Sequence, residues 1–307
     1  MESALDVPRQ GIAKPIFNRV TLAFALVQPI GRPNFNVSHL ASLMELPMSA
    51  VFTRLLNVRV ALFVLVLVAV ASGAMKLVVS ADTPLTRDDY DRNPALMLDA
   101  YRHVEAASVS DAEEQLLHEK HYMSHKMQPI FPTKFAGTAL TVLLKKEENS
   151  DPNAISGMLA AIDSGGQGSV YVMKVEDGED VAGMGGLMGT AMFARGFAGA
   201  VIDGGVRDLP QLKKIGFPVY STGPVPSSLV SHYRFAGMNL PVEVGGTRVN
   251  AGDIIVADQD GVVVVPRARA AEVLILAQQL DDKEHSTLPY IEKFHSIVEA
   301  VQKFGRI

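Results

Sequence analysis

The stretch GMGGLMGTAMFARGFAGAVIDGGVRDL, from Gly183 to Leu209, predicts a helix rich in small residues, followed by a buried strand that ends on two charges. Gly185 and Gly186 stand directly before the helix, and small residues such as Gly189 allow close packing of a helix on a sheet. The apolar run FAGAVIDGG is typical of a strand that is covered on both faces. A helix that leads into such a strand indicates an α/β fold.

The alternation continues on both sides of this stretch. FAGTALTVLL, GSVYVMKV and FPVYSTG predict strands, and NAISGMLAAIDS and LPQLKKIG predict helices. Short β segments with Gly and Asp turns follow in LPVEVGGTRVNAGDIIVADQDGVVVVP, and a helix closes the chain. Upstream, residues 95–127 have helical periodicity with Ser110 as a predicted N-cap, and DTPLTRDDYDRNP predicts a linker.

Composition limits the function classes. The chain has 307 residues, 48% hydrophobic and 20% charged, with a formal net charge of −5. We expect no nucleic-acid partner, because the sequence has no long basic run. The chain contains no cysteine, which excludes disulfides, thiolate metal sites and cysteine nucleophiles.

An uncharged apolar run, VALFVLVLVAVASGAM, follows Arg54 and Arg59. It is short for a membrane span and precedes small residues at Val79, Ser80 and Ala81, a pattern typical of a secretory signal peptide. An uncleaved anchor through residues 58–81 and a buried core helix are the alternatives. A signal or anchor predicts an exported or membrane-anchored protein, and a core helix predicts a cytoplasmic one.

The glycines before the predicted helix and the charges after the strand favour an anion site. A helix N-terminus offers free N–H groups and partial positive charge to a carboxylate or phosphate, and glycines let the ligand approach the backbone. Arg207 can bind a carboxylate through two hydrogen bonds, and Asp208 supplies an oxygen ligand suited to Mg²⁺. For the glycines alone, helix packing is the favoured explanation, and a surface ion pair is the ordinary explanation of an Arg-Asp pair; the combination of both features is what favours a site.

Two other groups of polar residues are weaker candidates. His118, His121 and His125 could share one face of a helix, which is more typical of a solvated face than of a metal site. Ser227 and Ser228 lack the sequence context of a catalytic nucleophile.

Residues from about 104 to 305 resemble the family of the regulator of ribonuclease E activity A and the 4-hydroxy-4-methyl-2-oxoglutarate aldolases. The resemblance is carried by SVSDA, MQPIFPTKFAGTALTV, GGLMGTAMFARGFAGAVIDGGVRDL, GFPVYSTGPVPSS and PVEVGGTRVNAGDIIVADQDGVVVVP. We therefore predict four parts: 1–47, a leader or mis-assigned start; 48–81, a signal peptide or membrane anchor; 82–103, a linker and first helix; and 104–307, an aldolase/regulator-like domain.

The resemblance implies a single swivelling β/β/α-type domain with a C-terminal helix, assembled as a homotrimer or a pair of trimers. It implies a lyase that uses Mg²⁺ or Mn²⁺ to split a small 2-oxo acid through a pyruvate enolate, and that also decarboxylates oxaloacetate. Substrate binding is implied for Gly185, Gly186, Leu187, Met188 and Arg207, catalysis for Arg207 and Asp208, and metal binding for Asp208 and for Glu284 from a neighbouring subunit.

The chain departs from the aldolase pattern at two positions. Gly186 and Gln211 stand where the aldolases of the family carry acidic residues. The alternative function implied by the resemblance is a non-catalytic module that binds another protein, as the ribonuclease regulators do. A methyltransferase function is also attached to this family. The glycine pattern of this chain does not form a methyl-donor nucleotide site, so this function has little support.

Overall fold

The computed structural model describes residues 84–305, which belong to a compact unit of residues Asp82–Ile307. The predictions for residues 1–47 and 48–81, including the signal peptide or anchor, lie outside the described residues. Across residues 84–305, no helix combines the length and the apolar character that crossing a membrane requires.

The helices fall into an N-terminal group, a middle group and a C-terminal pair. In chain order they are α1 (Arg87–Arg92), α2 (Pro94–Tyr101), α3 (Ala106–Leu117), α4 (Ser156–Ser164), α5 (Gly186–Ala194), α6 (Leu209–Ile215), α7 (Ala270–Phe294) and α8 (Ile297–Phe304).

The strands form one large sheet and a small hairpin. They are β1 (Gln128–Pro129), β2 (Phe135–Lys146), β3 (Ser169–Val175), β4 (Ala182–Met184), β5 (Gly199–Val206), β6 (Val219–Pro224), β7 (Tyr233–Met238), β8 (Val242–Val244), β9 (Thr247–Val249), β10 (Ile254–Asp258) and β11 (Gly261–Val265). The order in the large sheet is β1-β6-β5-β3-β2-β10-β11, with β4 paired to β5 and β7 to β2. The neighbours β2, β3, β5 and β6 are parallel, so their carboxyl ends lie at one edge.

The segment between α3 and β1 nearly closes the sheet. Tyr122 forms a β-bridge with Val263 of β11, and the N–H of Met123 donates to the Val262 carbonyl at 2.9 Å. A few residues later Gln128 pairs with Ser221 of β6. The chain therefore pairs with β11 at one end of the sheet and, a few residues later, joins the other end as β1 beside β6.

Buried side chains form three cores. The first lies between α4, α5, α6 and one face of β2, β3, β5 and β6. The second joins α1, α2, α3 and α7 to β10 and β11, and the third lies on the other face of the sheet under the hairpin β8–β9. Strand β3 shows the alternation that separates faces, since Tyr171 belongs to the first core and Val172 to the third.

The predicted α/β class with a C-terminal helix is confirmed, but two predictions before residue 128 are wrong. The predicted linker contains α1, because Thr86 and Asp89 form a capping box and Tyr90 is buried in the second core. The predicted helix over 95–127 is two helices, and the second ends at Leu117 because the chain turns left-handed at His118 and then pairs with β11.

The predicted cap and the predicted histidine face in this segment are also wrong. Ser110 lies inside α3, whose N-cap is Glu105. Since α3 ends before His118, the three histidines share no helical face.

Candidate active site

The predicted charged pair lies where β5 ends and α6 begins. Arg207 directly follows β5, and its backbone N–H donates to the Met184 carbonyl at 3.0 Å. Asp208 has a left-handed backbone with φ of 59°, a conformation that Asp tolerates better than most residues with a side chain. The sharp turn at Asp208 brings its carboxylate to the start of α5.

The N-terminus of α5 contacts this carboxylate directly. Asp208 Oδ2 accepts a hydrogen bond from the N–H of Gly186 at 2.9 Å. A Cβ atom on Gly185 would lie 2.7 Å from the same oxygen, so glycine is required for so close an approach. The positive end of the helix dipole favours negative charge at this place.

The first turn of α5 offers further donors. The N–H groups of Leu187 and Met188 have no acceptor within the helix, because its hydrogen bonds begin with the N–H of Gly189 on the Gly185 carbonyl at 3.1 Å. The side chain of Met188 is buried in the first core. The structure thus places the backbone of residues 185–188 beside the charged pair.

The guanidinium group of Arg207 is held by a loop. Its Nη1 donates to the carbonyl oxygen of Ser227 at 3.0 Å, and its Nε lies 3.8 Å from Asp208 Oδ2. The Arg207 side chain is 46% exposed, so the ion pair with Asp208 contributes little to stability. A guanidinium group carries five N–H donors, and these two contacts leave most of them available to a ligand.

Two cavities border Arg207. The larger, of about 440 Å³, is lined by residues 206–209 and 224–226. The smaller, of about 80 Å³, is lined by residues that include Gly185, Met188 and Leu229. Their walls are mostly apolar, which suits a small organic acid whose carboxylate binds Arg207.

Carboxylates are sparse at this site. Within residues 84–305, no group of three or more His, Cys, Asp or Glu side chains is arranged to hold a metal ion. A Cβ atom on Gly186 would lie 3.2 Å from Asp208 Cβ and 3.1 Å from Gln211 Cγ. The two positions at which the chain departs from the aldolase pattern are therefore adjacent, and both adjoin Asp208.

Glu284 lies elsewhere in the fold. It is exposed on α7, a helix that packs in the second core, whereas Arg207 and Asp208 adjoin helices of the first core. Within one chain, the fold assigns Glu284 and Asp208 to different helical layers.

The sequence interpretation missed the role of Ser227. Its carbonyl accepts from Arg207, and its hydroxyl accepts from the N–H of Ala182 at 2.9 Å. The available signal was its place after a strand whose carboxyl end neighbours that of β5, where ligand-contacting loops of α/β folds collect.

The family model described as RraA-like, Aldolase/RraA, matches residues 106–264. That is more than half of the chain. The protein belongs to the RraA-like family.

The curated relatives include candidate 4-hydroxy-4-methyl-2-oxoglutarate aldolases. One from Halalkalibacterium halodurans is 35% identical over 92 residues, which cover 29% of this chain and 42% of the relative. One from Burkholderia mallei is 33% identical over 144 residues, which cover 45% of this chain and 82% of the relative. The match thus spans less than half of the first relative and most of the second.

Solved structures share the fold. An uncharacterized protein from Pseudomonas syringae aligns with a TM-score of 0.61 at 26% identity, covering 75% of this chain and all (100%) of that one. Streptomyces coelicolor RraAS2, described as an unusual member of the RNase ES inhibitor RraA family, aligns with a TM-score of 0.57 at 25% identity, covering 63% and 96%. The relatives therefore include both candidate lyases and a member of an inhibitor family.

Proposed function

We propose that this RraA-like protein is a carbon–carbon lyase that acts on a small 2-oxo acid at the α5 N-terminus. The observation that carries the proposal is the contact between two elements. Asp208, at the end of β5, accepts the N–H of Gly186 in α5, and Arg207 adjoins it. Cationic, hydrogen-bond-donating and carboxylate groups thus meet beside a cavity.

Arg207 binds the substrate carboxylate in this proposal. Its guanidinium group borders both cavities and can form two parallel N–H···O hydrogen bonds with a carboxylate. The contact with the Ser227 carbonyl holds the side chain at the cavity edge, so less side-chain freedom is lost when the acid binds.

The N-terminus of α5 binds the 2-oxo group. When the C3–C4 bond of the 2-oxo acid breaks, its electron pair forms the C2–C3 double bond and the carbonyl electrons move to the oxo oxygen, which gives an enolate. The departing fragment is CO2 from oxaloacetate, or a second pyruvate from 4-hydroxy-4-methyl-2-oxoglutarate, whose 4-hydroxyl loses its proton to water. Uptake of a proton at C3 then converts the enolate to pyruvate. The free N–H groups of Leu187 and Met188 and the helix dipole stabilise negative charge as it develops on that oxygen. Aldol cleavage and oxaloacetate decarboxylation share this enolate, so one site can serve both.

The oxygen atoms present fit a weakly held divalent metal. Mg²⁺ needs one or two carboxylates and keeps several waters. Asp208 presents a half-exposed carboxylate, and within residues 84–305 only its Oδ2 accepts a hydrogen bond. Bound to Asp208, Mg²⁺ or Mn²⁺ would supply Lewis-acid polarisation of the 2-oxo group. The Gln211 side chain adjoins Gly186 and brings no charge to the site.

A second candidate function is a non-catalytic module that binds another protein. The observation that favours it is the apolar outer face of α5, where the side chains of Leu187 and Phe193 are 91% and 52% exposed. A patch of this kind beside a site with few carboxylates suits a docking surface.

One assay separates the two functions. The full-length chain is incubated with oxaloacetate or with 4-hydroxy-4-methyl-2-oxoglutarate, with Mg²⁺, with Mn²⁺ or with a chelator, and pyruvate release is measured. The lyase proposal expects metal-dependent release that Arg207→Ala abolishes. Release no faster than in the buffer blank, with every acid and metal, would reject the lyase and leave the binding module.

Assembly and location complete the proposal. We propose a homotrimer or a pair of trimers, with Glu284 supplied to the site by a neighbouring subunit. We also propose export or anchoring through residues 58–81. If that segment is a cleaved signal, the N-terminal sequence of the native protein should begin near Asp82 or shortly after Ala74. A soluble mature chain that retains residues 60–75 would contradict export.

A further inference from the structure

The loop between β6 and β7 connects the two anion-binding elements of the site through one residue. The carbonyl oxygen of Ser227 accepts Nη1 of Arg207 at 3.0 Å. The hydroxyl of the same residue accepts the N–H of Ala182 at 2.9 Å and donates to the carbonyl of Asp180 at 3.2 Å. Ser227 thus contacts the cation after β5 and the start of β4.

Strand β4 leads directly into the helix N-terminus. It consists of Ala182–Met184, and Gly185 then caps α5. The backbone of Arg207 is tied to β4 directly, through its own N–H on the Met184 carbonyl. What the loop adds is the orientation of the guanidinium group relative to the N–H groups at the start of α5.

We propose that Ser227 is a positioning residue for the 2-oxo acid site, which orients the Arg207 guanidinium group toward a ligand bound at the α5 N-terminus. This inference rests on the proposed function, because it assumes that a 2-oxo acid bridges the two elements. Ser227 does not react with the substrate. Its hydroxyl fixes the loop to β4, and the fixed loop presents the carbonyl that orients Arg207.

Pyruvate binding tests the inference in a double-mutant cycle. Ser227→Ala loses both hydrogen bonds of the hydroxyl, so the loop orients Arg207 less well and we expect the dissociation constant for pyruvate to rise about fivefold to tenfold in calorimetry with Mn²⁺ present. Ser227→Thr keeps the hydroxyl and should bind like the parent. In an Arg207→Ala background, Ser227→Ala should cause no further loss, because its effect acts through that side chain.

Thr222→Ala is the matched control. The hydroxyl of Thr222 donates to the carbonyl of Glu179 at 3.2 Å, so this variant loses the same kind of hydrogen bond to the same stretch of chain without touching Arg207. Its pyruvate affinity should stay unchanged. For turnover, Ser227→Ala should raise KM more than it lowers kcat, because the bound carboxylate is gripped equally in substrate and transition state.

Crystal structures of the parent and of Ser227→Ala separate the failure of this inference from that of the proposed function. We expect Arg207 Nη1 to leave the carbonyl of residue 227 in the variant. If the parent binds no 2-oxo acid, the proposed function fails, and the crystal structures still decide the positioning role. Unchanged pyruvate affinity in Ser227→Ala, or an unmoved guanidinium group in its crystal structure, would overturn the inference.

Discussion

Asp208 has three structural positions at once: it follows the end of β5, it is the N-cap of α6, and its side chain contacts the N-terminus of α5. Its left-handed backbone costs on the order of 1 kcal/mol, and the hydrogen bond from Gly186 helps to hold it there. The same contact keeps its charge at the helix N-terminus. At the residue scale, a carboxylate that first appears to be a ligand is therefore also a structural cap.

Arg207 should not tolerate replacement by another cation. Arg207→Lys keeps the positive charge but loses the planar fork that binds a carboxylate at two points. We expect kcat/KM for the 2-oxo acid to fall at least about tenfold, equivalent to roughly 1.4 kcal/mol of transition-state stabilisation. The measurement is steady-state kinetics of the parent and of Arg207→Lys, with equal melting temperatures as the control that both are folded. Unaltered kinetics in the variant would refute the assignment.

Gly186 should accept an acidic side chain that strengthens metal binding. Its φ is not in the left-handed region, and a new Cβ would lie 3.1 Å from Gln211 Cγ and 3.2 Å from Asp208 Cβ, so the start of α6 must shift by only a few tenths of an ångström. Gly186→Asp places a second carboxylate beside Asp208, so Mn²⁺ affinity measured by calorimetry should rise roughly tenfold or more. Oxaloacetate decarboxylation should increase with it.

Asp208→Asn is the control for this prediction in both backgrounds. It keeps an acceptor for the N–H of Gly186 and removes the charge, so metal-dependent turnover should disappear while folding is retained. Metal binding that survives Asp208→Asn unchanged would place the site elsewhere.

The sequence predicted this charged pair and its glycine-opened helix because local signals are strong there. A strand that ends on Arg-Asp, after a helix preceded by glycines, leaves few arrangements in a parallel sheet. The contact of Arg207 with Ser227 was not predictable in the same way. It depends on the path of a loop from another strand, for which the sequence offers no periodicity.

At the scale of elements, α3 and the segment after it hold a buried acid. The Glu113 side chain is 1% exposed, and its two carboxylate oxygens have no hydrogen-bond partner in the described part of the chain. Burial and the negative charge of Asp253 raise the pKa of Glu113 to about 8. His121 lies on the segment that pairs with β11. Its Nδ1 is 3.6 Å from Glu113 Oε1, and its Nε2 is 3.3 Å from Glu119 Oε2.

Glu113 should make the stability of the protein fall as pH rises. The unfolded chain loses this proton near pH 4.3, whereas the folded chain keeps it until about pH 8. Since the folded state binds more protons between these values, its free energy of unfolding should decrease across that window. Urea unfolding at pH 5, 7 and 9 provides the measurement.

Two variants of α3 separate the titration of Glu113 from the titration of the other acidic side chains. Glu113→Gln removes the titration, so its free energy of unfolding should exceed that of the parent at pH 9. Glu114→Gln, an exposed neighbour on the same helix, should follow the parent at every pH. Parallel curves for the parent and Glu113→Gln would show that Glu113 titrates in its ordinary range.

The helix boundaries in residues 95–127 were mispredicted because one segment of this region pairs with a strand. Apolar spacing over 95–127 fits a helix, and the same residues serve a bridge to β11 after His118 turns the chain. Tertiary pairing overrides local periodicity at that point. From β2 to β6 the alternation of strands and helices carried no such conflict, and the predicted elements lie where the sequence predicted them. Strands β4 and β7 were not predicted, and the predicted closing helix is divided into α7 and α8 by a left-handed turn at His295.

At the scale of the molecule, each chain presents Arg207 and Asp208 beside the first core, and Glu284 on the helix of the second. A site that needs both parts can be completed by a neighbouring subunit in a cyclic assembly, where one surface of each copy meets a different surface of the next. Periodicity and composition do not predict a shared site of this kind, because such a site depends on contacts between copies.

Subunit complementation tests the shared site. Arg207→Ala and Glu284→Gln should each be inactive as pure assemblies if both residues serve one site. When the two variants are co-expressed in equal amounts, about a quarter of the sites in random cyclic trimers combine an intact Arg207 with an intact Glu284 from the next subunit. Pyruvate release should therefore recover to about a quarter of the parent rate, whereas separately purified variants mixed without exchange should stay inactive. Full activity of Glu284→Gln alone would remove it from the site, and no recovery on co-expression would mean that any requirement for Glu284 acts within its own chain.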